Sequence, residues 1–267
     1  MTMNNSAHDL RVQLREAERR IGEHPGYQEH ARYTTLARTL NNVFIPNWDE
    51  LTTLLDRPTK DFLLAMELVQ NVSPSDIQEK YSAEIVQRLH NYVAGTMTLV
   101  DHARRAMRNR TGDIAGEFER RRSQISSHLE IAFVQDLRNF TLHRALPLIG
   151  HKLTITGINT PGQQTVSAIE LSTNDLSRWD RWTPKAREFI QNAGDEIALG
   201  PLIERHGKLV VDINSWLYES LRDANKLALA EVDDLIVKRN AILFGSSVED
   251  ARTKTQKITE RRRPSNR

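Results

Sequence analysis

Arg138, Asn139 and His143 stand within "FVQDLRNFTLHRALP", residues 133–147, where polar side chains interrupt an otherwise apolar helical stretch. At about 100° per residue, Asn139 and His143 stack on one helix face. Asp136 falls on the same stripe with Gln135 at its edge, while Phe133, Leu137, Phe140 and Thr141 fill the opposite arc. Arg138 sits at the border of that arc, beside Val134 and Leu142, and its long stem can swing the guanidinium toward the imidazole. An imidazole titrates near neutrality and can take a proton from a ribose 2′-hydroxyl or give one to a leaving oxygen. A guanidinium is a permanent, forked cation that matches the extra negative charge of a phosphorane-like transition state. The amide of Asn139 can orient the histidine or hold a phosphate oxygen. Such a set points to cleavage of a phosphodiester without a metal. The same residues also have a purely structural reading, in which Asn139 and His143 bond the backbone of a neighbouring helix and Asp136 pairs with a surface arginine.

The elements that must position this seam follow from the pattern of apolar residues. The chain has 267 residues, 39% hydrophobic and 27% charged, enough for one large domain or two small ones with a full core. Its first half reads as successive helices, broken at Gly22 with Pro25, at Pro46, before Pro58 and at "SPSD". From Ser75 a long helix carries Ile77, Tyr81, Ile85, Leu89 and Val93 as a buried stripe, and Gly112 in "TGD" suits its C-terminal cap. A second long helix is expected over 114–146, ended by Pro147, and two such helices joined by a short turn pack antiparallel. "HKLTITG" and "TVSAIELST" then alternate in β-branched fashion around "INTPGQQ", which predicts a β-hairpin pairing 153–156 with 166–171. Helical pattern returns at "SRWDRWTPKAREFIQNAG", with Pro184 as a start, and one long helix is expected from Pro201 to Phe244, with weak points at Gly207 and Asp212. Residues 245–267 are polar and charged and read as a flexible basic tail. The expected architecture is mainly α: a helical bundle with long antiparallel helices and one inserted β-hairpin. Its divisions are a helical bundle over 1–147, the hairpin and C-terminal helices over 148–244, and the tail.

Composition excludes several classes. There is no cysteine, so disulfides, thiolate metal sites and a cysteine nucleophile are out. No signal-like apolar core appears at the N-terminus, and no run approaches the ~20 apolar residues of a membrane span, so a soluble cytoplasmic protein is expected. The net charge of +2 does not announce nucleic acid by itself, but 28 arginines against 9 lysines favour paired phosphate contacts, a bias that genomic base composition also produces.

The order Arg-Asn-x-x-x-His near the end of a long helix, in an all-helical chain, resembles the HEPN superfamily. Five arginine–histidine pairs have comparable spacing, but only Arg138–His143 has an asparagine beside the arginine, lies wholly within a strong amphipathic helix and is ended promptly by a proline. By that pattern Arg138 takes the arginine position, Asn139 the polar one and His143 the histidine one. The resemblance covers roughly residues 75–147. It implies a metal-independent endoribonuclease, with no cofactor, of the kind found in toxin–antitoxin, abortive-infection and CRISPR-linked defence. It also implies a homodimer that sets two motifs face to face, RNA as substrate, and a cognate antitoxin or regulatory protein as partner. Two other readings stay open: a non-catalytic helical interaction or regulatory protein, and a simple nucleic-acid-binding module.

Other stretches carry less. Arg104, Arg105 and Arg108 on one side of the Gly112 turn, and Arg120, Arg121 and Arg122 on the other, form an electropositive lip for an RNA backbone, or else solvated helix ends near a dipole. "KITERRRPSNR" is likewise a nucleic-acid-attracting arm or a soluble end. His90, His102 and His128 have no second ligand at i+3 or i+4, so no metal site is assigned. Trp179 and Trp182 in "SRWDRW" read as core residues at helical spacing rather than as a base-stacking platform.

Overall fold

The computed structural model describes residues 2–69, 75–144, 147–156 and 164–262. The loop expected around "INTPGQQ", most of the "SPSD" break, Leu146 and the last five residues lie outside them. The fold is mainly α-helical with a small three-stranded antiparallel sheet in the order β1-β2-β3. No helix among the described residues is long and apolar enough to cross a membrane. The chain forms two compact units, one from Leu36–Leu217 and one from the described parts of Met1–Thr35 and Tyr218–Arg267. These bounds differ from a division at residue 147, because the helices at the two ends of the chain pair with each other.

In the terminal unit α1 (Thr2–Glu23) and α12 (Val248–Arg262) both pack against α11 (Lys226–Phe244). Much of the segment read as a flexible tail is therefore helical. Among the described residues its buried apolar anchor is Ala251, packed with Val237 and Ala241, with polar ties from Asn240 to Thr255 and from Arg252 to Asp234. One small apolar residue among charged ones leaves little periodic signal. The long helix expected from Pro201 to Phe244 is two helices, α10 (Leu199–Ala224) and α11, parted at Asn225 rather than at Gly207 or Asp212. Asn225 leaves the helical run because its side-chain amide donates to the carbonyl of Gly26 at 2.9 Å. Gly26 is needed beneath it, since a Cβ there would meet Ala228 at 2.8 Å.

The central unit is built on α5 (Asp76–Met107). Ser75 caps its start by accepting from the Gln78 backbone N–H, and Tyr81, Ile85, Leu89 and Val93 are buried as the periodicity predicts, while Ile77 is exposed. α3 (Ile45–Lys60) packs on one side of α5 and α7 (Leu129–His143) on another. The helix expected over 114–146 is broken into α6 (Asp113–Ser127) and α7 at His128, whose backbone is extended (φ −73°, ψ 123°). Ser126 and Ser127 donate to carbonyls three residues back, competing with the backbone ladder just where it fails. Gly112, at φ 85°, opens α6 rather than closing α5; the left-handed residue after α5 is Asn109.

β1 (Ile149–Thr156) and β2 (Gln164–Ser172) form the expected hairpin in a shifted register: 153–156 pair with 164–167, and 166–171 pair with 149–154, because β1 begins four residues earlier than expected. A third strand, β3 (Glu196–Ala198), adds to β2. Between them α8 (Thr173–Ser177) and α9 (Pro184–Asn192) carry the apolar cover of α7. Trp179 and Trp182 sit in the loop between α8 and α9, not on a helix, and both are buried. Trp182 stacks on Phe140 with centroids 5.4 Å apart and donates its indole N–H to the Leu176 carbonyl at 2.8 Å. This satisfied indole is what a core tryptophan requires.

Candidate functional site

α7 positions the sequence-derived trio. Its inner face is fixed by Phe133, Val134, Leu137 and Phe140, all essentially inaccessible to solvent, so the helix cannot roll. On the outer face Arg138, Asn139 and His143 are all exposed. Asn139 and His143 differ by about 40° around the axis, and Arg138 and His143 by about 140°. The first two therefore share a face, and Arg138 joins them only through the reach of its stem. His143 is the last residue of α7; the chain leaves helical geometry at Arg144 (φ −120°, ψ −71°), so the imidazole projects from a helix end.

Asp136 does not stay with the seam. It is buried, and its Oδ2 accepts the backbone N–H of Thr183 at 2.7 Å, fixing the start of α9 to α7. Thr183 in turn caps α9 by accepting from the Ala186 N–H. Asp136 and His143 are about 20° apart around the axis, yet one is covered and the other is open. The difference is axial: α9 covers the middle of α7 and the histidine lies about two turns farther on. Gln135 is exposed and lines a cavity among α5, α6, α7 and α10.

The arginine lip is only partly available. Arg104 and Arg105 lie in the last turn of α5 and Arg108 follows it, all exposed. On α6, Arg120 and Arg121 both bond Glu117, and Arg122 pairs with Glu119 at 2.6 Å. Hydrogen bonds from Arg120 and Arg121 hold the Glu117 carboxyl down to about 2. The Arg121 guanidinium also lies over the Trp216 ring at 4.5 Å. Arg104 and Arg122, both exposed, line the cavity that Gln135 also lines. Gln135 is eight residues before His143 and three before Arg138, so along α7 it is offset by roughly 12 Å from the imidazole position but by only about 4–5 Å from the arginine position.

The remaining histidines take separate roles. His90 is exposed; His102 Nδ1 bonds the Thr39 hydroxyl at 2.8 Å; His128 begins α7 with Nδ1 3.8 Å from Glu130. Among the described residues no three metal-ligating side chains gather.

Two histidine pairs escaped sequence reasoning. Ser82 Oγ and His151 Nε2 are 2.9 Å apart, joining α5 to β1 across 69 residues that leave no local signal. Burial lowers the His151 pKa, and its Nδ1 has no partner among the described residues, so the pair lacks, among them, the third group that would orient a base for a nucleophilic serine. The second pair is Tyr92 and His206, with the phenol oxygen 2.5 Å from Nδ1 and both residues fully buried. Its signal was present as a histidine among Leu199, Leu202, Ile203 and Val210 on the apolar stripe of α10. No protein family, curated protein or solved structure matches this chain.

Proposed function

We propose that this chain is a metal-independent endoribonuclease of the HEPN kind, with His143 as the proton-transfer group, Arg138 as the phosphate and transition-state clamp and Asn139 as the orienting amide. The observation that carries the reading is the joint exposure of these three side chains at the end of a helix whose opposite face is locked in the core. A solvent-open imidazole can exchange protons with substrate and water, whereas a sealed one cannot. Each chain contributes one such histidine, so a homodimer that juxtaposes two motifs supplies both an acid and a base. Arg104, Arg105 and Arg108, with Arg120, Arg121 and Arg122 where a phosphate displaces their acidic neighbours, would hold the RNA backbone. A cytoplasmic toxin or phage-defence role, held in check by an antitoxin or regulatory protein, fits such an activity.

The alternative is a non-catalytic helical regulator, and the structural use of Asp136 favours it, because one member of the polar seam serves packing alone. The test is incubation of purified protein with mixed-sequence RNA in EDTA, beside Arg138→Ala and His143→Ala. Cleavage by the parent that both substitutions abolish supports the enzyme. Equal cleavage in all three preparations, or none in any, overturns it.

A further inference from the structure

The cavity among α5, α6, α7 and α10 has a volume of about 170 Å³. Its walls carry hydrocarbon from residues such as Leu99, Phe118, Ile131 and Val210 and the polar side chains of Thr96, Ser126, Gln135 and Asn214, and two further features bear on what it would hold. Inside is His206, fully buried. Burial keeps the Tyr92 phenol protonated, and its one side-chain hydrogen bond among the described residues is to His206 Nδ1, so we assign the phenol as the donor and Nδ1 as the acceptor. A neutral imidazole that accepts at Nδ1 carries its own proton on Nε2. That second nitrogen is buried without a partner among the described residues, and an unanswered buried donor is costly. Arg104 and Arg122, both exposed, also line the cavity, each paired with an acid three residues earlier on its own helix, at 3.5 Å and 2.6 Å. Such surface pairs exchange readily for a better anion. The two features lie toward opposite ends: Thr96, one turn from Tyr92, and Arg104 both line the cavity and are roughly 12 Å apart along α5.

We propose that this cavity is a binding site for a small, mainly apolar organic acid. A ring or short branched chain fills the hydrocarbon walls, a neutral oxygen at the inner end accepts the His206 Nε2–H, and a carboxylate meets Arg104 and Arg122. The size is right, since an apolar cavity of about 150 Å³ accommodates benzene. The site lies on the same α7 that ends in His143 but nearer its other end; it shares Arg104 and Arg122 with the proposed RNA contacts, so the acid competes with the RNA backbone there and leaves His143 untouched.

The experiment titrates the full chain with 4-acetylbenzoate and with 4-ethylbenzoate, which has the same shape without the inner acceptor, by calorimetry and by the side-chain nitrogen resonances of His206. The ketone should bind saturably, about tenfold more tightly than the ethyl compound, and should move the Nε2 resonance. Ile213→Trp, at the half-buried wall, should abolish binding of both; Val210→Phe provides the same block by a milder change if the first variant does not fold. Exchanging Arg104 and Arg122 for Gln should weaken both probes alike. Absence of saturable binding at 10 mM probe, equal affinity for the two compounds, or binding that survives the wall substitutions in folded protein would overturn the proposal.

Discussion

Asp136 Oδ2 accepts the Thr183 backbone N–H at 2.7 Å, tying the middle of α7 to the first turn of α9. The bond removes a carboxylate from the polar seam and uses it to set the aromatic cover, Trp179 and Trp182, over Phe140. Asp136→Ala should destabilise the protein by about 1–3 kcal/mol, and Asp136→Asn, which keeps an acceptor, by less. Urea unfolding of the two variants checks the order. A loss of RNA cleavage in Asp136→Asn with unchanged stability would instead return this residue to the chemistry.

Gly207 lies under Trp48. A Cβ built on Gly207 would collide with Trp48 Cε2, Nε1 and Cδ2, atoms of one rigid ring. Gly207→Ala should therefore cost about 1–3 kcal/mol through overpacking despite the better helix propensity of alanine. In a Trp48→Leu background the same substitution should be nearly neutral or stabilising. Thermal melts of the four proteins of this cycle decide it.

Stability should fall on mild acidification because of His206. Burial lowers its pKa from the ordinary 6.5 to about 4. The unfolded chain thus takes up a proton below about pH 6.5 that the folded chain refuses until about pH 4. The contribution is present above 6.5 and is lost as pH falls through that window. His206→Gln should be less stable at pH 7.5 but flatter between pH 6.5 and 4, as denaturant midpoints at several pH values will record. Parallel curves for the two proteins would mean that this imidazole is not the group responsible.

How much of this was legible in the sequence depends on range. The long helix α5, the presence of the hairpin and the apolar face Phe133–Leu137–Phe140 follow from local periodicity, whereas the hairpin's register did not, since 153–156 pair with 164–167 rather than with 166–171. The breaks at His128 and Asn225 did not, because each is made by side chains bonding backbone: Ser126 and Ser127 within their own helix, Asn225 to a carbonyl 199 residues away. For the candidate site, the sequence correctly grouped Asn139 and His143 on one face but also enrolled Asp136. Angle alone cannot tell which part of a stripe a later element such as α9 will cover. The His206 cavity requires four helices that meet only in three dimensions, and no spacing encodes it.

Arg138, Asn139 and His143 are exposed, so their removal should leave stability within about 0.5 kcal/mol, which makes their effect on chemistry readable. The most direct measurement is end-group analysis of an RNA oligonucleotide and its fully 2′-O-methylated counterpart, each incubated in EDTA with the parent protein and with folded His143→Ala. The account predicts that only the unmodified RNA is cut, that it leaves 2′,3′-cyclic or 3′-phosphate ends, and that His143→Ala slows cleavage by about 10²–10⁴-fold. Intact RNA with the parent protein, cutting of the methylated strand, or undiminished cutting by His143→Ala would contradict it.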